Sequence, residues 1–154
     1  MKANELMIGD WVIFGDEPLK VQHLYNNGYD DVVAEIVEEG TNEYGVYEEI
    51  KDVPVVYCSP IPLTPEILEK NGFKKIDFSH YQINDRTLVL DADGKWDGEV
   101  SWHWVVTEMS TNSKGQNVVL DYYVATLNYA HQLQHALRLC GLNELADNFK
   151  VYEK

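Results

Sequence analysis

The sequence is poor in positive charge, in cysteine and in long apolar runs, and each shortage closes off a class of function. Twelve Lys and Arg stand against 26 Asp and Glu in 154 residues, for a net charge of −14. Such a surface repels a phosphate backbone, so direct nucleic-acid binding is not expected. The two cysteines, Cys58 and Cys140, lie far apart among apolar residues. They read as buried thiols in a reducing cytoplasm, with a disulfide as the alternative. No stretch approaches the roughly 20 apolar residues of a membrane span. The segment 1–6 has no apolar core of the kind a signal peptide needs. The expected setting is therefore cytoplasmic, with no membrane contact. Also missing are G-x-S-x-G, a P-loop and a dinucleotide fingerprint, and no cofactor is expected.

What is present is enough to build a core. Hydrophobic residues make up 45% of the chain, including four Trp, ten Tyr and four Phe. The nearest approach to a catalytic motif is His131-Gln132-Leu133-Gln134-His135 on the predicted final helix. This is H-E-x-x-H with Gln132 in place of the glutamate. In zinc proteases that Glu accepts a proton from metal-bound water, and a neutral amide cannot. Positions 131 and 135 share a helix face, as a two-His metal site requires. The apolar stripe of Tyr129, Ala130, Leu133, Ala136, Leu137 and Cys140 centres near Leu133 at about 100° per residue. It predicts both histidines on the exposed face beside Arg138, whose charge would repel a dication. No acid on this helix is spaced to complete a ligand set, so no metal is expected. Asp91 to Glu99 resembles a calcium loop, but Lys95 and Trp96 stand where an oxygen ligand and Gly are needed, and an acidic turn is the better reading.

The acids are unevenly spread. Residues 1–58 hold 13 acids and three bases, whereas 59–154 hold 13 acids and nine bases. The densest stretch, Asp30 to Asp52, has nine acids against Lys51 alone. Plain solubility explains such acidity in most proteins. The sharper reading is an interaction surface formed by Asp30, Asp31, Glu35, Glu38, Glu48 and Glu49, facing a protein with a basic surface.

Turn signals divide the first half into short β segments: Met7 to Phe14, Leu19 to Tyr25, Asp31 to Glu38, Tyr44 to Ile50 and Val53 to Cys58. Five short strands in under sixty residues predict a small SH3-like barrel over 1–58. Ser59-Pro60-Ile61-Pro62-Leu63 reads as a joint. Thr64, Pro65 and Glu66 then open a short helix as cap, first position and favourable charge, and Asn71-Gly72 closes it. Strands are expected at Phe78 to Ile83, Thr87 to Ala92, Val100 to Met109 and Asn117 to Thr126. Turns are expected at Asp93-Gly94, Asp97-Gly98 and Ser110 to Gly115. A helix from Asn128 or Tyr129 to Cys140 stops at Gly141, and Leu142 to Phe149 adds a further turn capped by Asn143. The predicted fold class is α+β. Its second domain, 59–154, comprises a helix, an antiparallel sheet and the C-terminal helix. Trp102 and Trp104 share one strand face and are expected in the core.

Three segments resemble a family of short proteins, of no established function, encoded in prophages and mobile elements of gut Bacteroidales. They are Asn4-Glu5-Leu6-Met7-Ile8-Gly9-Asp10-Trp11-Val12, the run from Ile61 to Phe73, and Tyr129-Ala130-His131-Gln132-Leu133-Gln134-His135. In the last, this chain has Ala130 and Gln132 where the family pattern has valine and glutamate. The resemblance implies a cytoplasmic bacterial or phage setting and carries no activity with it. The expected function is a small non-enzymatic protein-interaction module. One alternative is an acidic DNA mimic that inhibits a basic DNA-binding protein. The other is a degenerate metal-dependent hydrolase at His131 and His135.

Overall fold

Among the described residues, two antiparallel sheets and three short α-helices make up the fold. The computed structural model describes residues 1–26, 28, 32–42, 44–84, 86–91 and 101–151. In chain order the elements are β1 (Trp11–Phe14), β2 (Glu17–Asn26), β3 (Val32–Asn42), β4 (Gly45–Pro54), β5 (Ser59–Pro60), α1 (Pro65–Lys70), β6 (Lys74–Lys75), β7 (His80–Ile83), β8 (Arg86–Asp91), β9 (Ser101–Thr111), β10 (Asn117–Thr126), α2 (Ala130–Leu139) and α3 (Asn143–Asp147). The class is mixed α+β, as expected. The chain forms two compact units, one of residues 1–62 with 129–154 and the other of 63–128. The first cut falls in the proline joint. The C-terminal helices belong with the N-terminal sheet, however, and not with the second one. Hydrophobic periodicity shows that a helix has a buried face, but not which sheet covers it.

In the first unit the strand order is β4-β3-β2-β1-β5, antiparallel at each pairing. Among the described residues no pairing joins β4 to β5, so this sheet is open where a closed barrel was expected. Its core gathers Leu6, Val12, Leu19, Val21, Ala34, Ile36, Val53, Val55 and Cys58. Several boundaries differ from expectation. Residues 7–10 form a turn and β1 starts only at Trp11. Glu39 to Asn42 extend β3 instead of turning, and the two predicted strands after Tyr44 merge into β4 before a 3₁₀ turn at Val55–Tyr57. Polar Thr and Asn are held there by the hairpin register, which sets Thr41 opposite Val46 and Asn42 opposite Gly45.

The second unit orders its strands β10-β9-β8-β7-β6. Strands β7 to β10 lie close to their predicted positions, and β10 matches. Trp102 and Trp104 are buried, with the Trp102 indole N–H donating to Leu63 O at 2.8 Å and the Tyr81 ring meeting the Trp102 ring edge-on. Helix α1 starts as predicted, with Thr64 Oγ1 accepting from the Ile67 N–H. Its end is also as predicted: Phe73 N–H donates to Leu68 O across the left-handed Gly72. The two Asp-Gly turns and most of the calcium-like loop lie outside the described residues.

Candidate functional site

The histidine helix meets the first turn of the chain, and the meeting point is a buried carboxylate. Gly9, at φ +88°, lets the chain reverse between Met7 and Trp11. Asp10 then closes its own turn, its Oδ2 accepting from Met7 N–H at 2.8 Å. The carboxylate is fully buried. An isolated charge there would cost several kcal/mol, roughly, so it needs partners. Helix α2 supplies two, one turn apart. His135 Nε2 donates to Asp10 Oδ2 at 2.7 Å, and Arg138 Nη1 donates to Oδ1 at 3.0 Å. Arg138 Nη2 also reaches Ile8 O at 3.3 Å.

Gln134 completes the join. Its Oε1 accepts from Trp11 N–H at 3.1 Å, and its Nε2 donates to Gly9 O at 2.8 Å and Ala146 O at 3.1 Å. One amide thus satisfies backbone groups of the first turn and of α3 together. Trp11 Nε1 donates to Phe149 O at 2.7 Å, tying the same turn to the segment after α3.

This arrangement corrects the expected helix face. His131 is 3% exposed and Gln134 is fully buried, so neither lies on a solvated side. The first turn and α3 both pack on α2, and its buried arc is wider than the apolar stripe. Polar residues can enter that arc when their atoms find partners. His131 stacks on Tyr129 and meets the His135 ring edge-on, yet its Nδ1 is buried with no partner among the described residues. Burial pushes its pKa below the usual imidazole range, reinforced by His135 and opposed by Asp10 and Glu5.

The chemistry open to this cluster is narrow. Gln132, at the position of the missing glutamate, caps the helix: its Oε1 accepts from Tyr129 N–H at 3.2 Å. Arg138 occupies Asp10 Oδ1, and Asp10 occupies His135 Nε2. Among the described residues no group of three His, Cys, Asp or Glu is placed to hold a metal ion. A buried Asp bonded to a His is also half of a nucleophile relay, but among the described residues no hydroxyl or thiol is hydrogen-bonded to His135. Asp77, Ser79 and His80 look like another relay. There, however, Ser79 Oγ and both Asp77 oxygens share the same His80 nitrogen, Nδ1, whereas a relay needs opposite ring atoms. It is a turn, in which the Ser79 N–H and then the His80 side chain hold the Asp77 carboxyl down at about 2.

The predicted acidic surface is described only in part. Asp30 and Asp31 lie outside the described residues, as do the side chains of Glu38 and Glu48. Glu35 is half-buried with Oε1 3.8 Å from His23 Nε2, and Glu49 is exposed with Oε2 3.8 Å from Lys51 Nζ. The register sets Glu35 opposite Asp52, Glu38 opposite Glu49 and Glu39 opposite Glu48. Acids therefore face acids along the β3–β4 ladder. Pairings with β2 stop at Val21↔Ile36, while β3 and β4 continue alone from Val37↔Ile50 to Asn42↔Gly45. This free arm ends in Tyr44, 90% exposed, with Val46 and Ile50 also exposed behind it.

Sequence reasoning missed Asp10 and Gln134, which join positions more than 120 residues apart. Comparison with protein-family models, curated sequences and solved structures finds no match to this chain.

Proposed function

We propose that the chain is a small, non-enzymatic, cytoplasmic protein-interaction module of phage or mobile-element setting, which binds a partner with a basic surface through its β3–β4 arm. The observation that carries this reading is the arm itself. It extends beyond the rest of its sheet, faces acid with acid across the ladder, and ends in exposed apolar side chains. Like charges directly opposite cost stability in a sheet, and a cationic partner relieves that cost. An exposed aromatic at the tip supplies the apolar anchor that charge alone lacks. The His–Asp–Arg cluster supports the non-enzymatic side of the reading, since its groups are bonded to one another and to backbone. No helix among the described residues is long and apolar enough to cross a membrane.

The test compares immobilised chain with a Tyr44→Ser/Val46→Ser/Ile50→Ser variant. The expected result is a basic protein retained by the unaltered chain, released by added salt and lost with the variant. Equal retention by both contradicts the reading. The facing acid pairs also favour a second reading, an inhibitor that mimics DNA. Only that form displaces DNA from the retained protein in a competition assay, while in both readings the chain itself shifts no DNA in a gel at low salt.

A further inference from the structure

We propose that β10 is a pairing edge for a second copy of this chain, the two copies joining antiparallel through residues 117–126 into one continuous sheet. The strand ends its sheet, and among the described residues of its unit no strand pairs with its other side. It is ten residues long, Asn117-Val118-Val119-Leu120-Asp121-Tyr122-Tyr123-Val124-Ala125-Thr126. A free edge of that length is a template for another strand, and proteins block such edges with lysine, proline, inward charge, a short strand, a bulge or a covering segment. β10 contains no Lys and no Pro. Its only charge, Asp121, accepts a hydrogen bond from Thr107 Oγ1 at 2.8 Å. One such device is present, an irregularity in the pairing to β9 between Tyr123 and Ala125, and it leaves Asn117 to Tyr123 in unbroken register.

Both faces of this edge carry exposed apolar side chains. By register Leu120 and Tyr122 continue the face of Trp102 and Trp104, while Val119 and Tyr123 lie on the other face with Met109. Tyr123 is 60% and Met109 70% exposed. Val119, Leu120, Tyr122 and Val124 are exposed as well. Edge pairing sets these side chains beside their counterparts on each face, where apolar neighbours across a strand pair stabilise it.

The occupant is argued from the same features. A strand added here must offer apolar side chains on both faces and almost no charge, and β10 is itself such a strand. A pairing centred on Tyr122 sets Leu120 opposite Val124 of the other copy and Asp121 opposite Tyr123, so no acid meets acid despite the net charge of −14. A basic peptide would find one acid on the strand, and that one already engaged.

Sedimentation of the full chain from low to high micromolar concentration tests this. The expected mass rises from 17.7 kDa toward twice that value. Tyr122→Lys should remain monomeric with an unchanged circular dichroism spectrum, while Val46→Lys, the same change on the β3–β4 arm, should pair like the unaltered chain. A chain that is monomeric throughout, or a dimer that survives Tyr122→Lys or is lost with Val46→Lys, overturns the proposal. If Tyr122→Lys misfolds, Tyr122→Cys decides. Directly opposed strand residues lie within disulfide reach, so mild oxidation should give a covalent dimer that Tyr57→Cys does not form. Its absence is equally fatal. A monomeric result leaves the basic-partner reading intact, because that is read by salt-sensitive retention at the other arm.

Discussion

The outer strands β4 and β10 are each ten residues long, and each belongs to a hairpin that outruns the rest of its sheet. Their chemistry is opposite. β4 carries Glu48, Glu49, Lys51, Asp52 and Pro54, whereas β10 carries Asp121 alone. Length and backbone exposure are shared, so side chains decide what each edge accepts. The charges and proline of β4 deter another strand and favour a partner that reads side-chain charge. The valines and tyrosines of β10 leave its backbone open to pairing. On the two proposals above, edges that look alike as ribbons accept different kinds of partner.

The comparison is broken most completely by dismantling the unit behind either edge. Trp102→Ala empties a fully buried site and removes the indole bond to Leu63. It should cost about 3–5 kcal/mol in urea denaturation and abolish association through β10. Arg138→Met acts on the other unit, leaving the Asp10 carboxylate buried with His135 and one backbone N–H. The expected cost is about 3 kcal/mol. Asp10→Asn with Arg138→Met should cost less than the sum of the two single changes, because no charge is then stranded. Strict additivity would mean that the ion pair does not hold the turn to the helix.

A smaller effect comes from pH. Burial lowers the His131 pKa from its ordinary 6.5, so below that value the unfolded chain takes up a proton the folded chain refuses. This contribution to stability is complete above 6.5 and is lost as pH falls toward the lowered folded value. Urea midpoints measured across this range should drop on acidification, and less steeply in His131→Phe. An equal slope in the variant would show that His131 is not the group responsible.

Much of the secondary structure was legible in the chain. Thr64-Pro65-Glu66 and Asn71-Gly72 marked both ends of α1, and the alternation through Trp102 and Trp104 marked β9 with its buried face. The errors share a cause, in that local pattern does not report distant partners. Residues 39–42 look like a turn, but ladder bonds to β4 keep them extended. The two histidines of α2 fall off the apolar stripe, yet one is buried and the other is bonded to Asp10 from the opposite end of the chain. Gly9 and Asp10 fell within the strand expected over Met7 to Phe14, and nothing in their neighbourhood signalled that the carboxylate turns inward. The candidate acidic surface was legible as charge density. The facing of its acids depends on a hairpin register that the misplaced turn obscured.

Hydrogen exchange at low and high protein concentration tests the contrast between the two edges most directly. The amides of β10 that point away from β9 should exchange more slowly as concentration rises, while the outward amides of β4 keep one rate throughout. Concentration-independent exchange in β10, or protection gained in β4, would contradict the account.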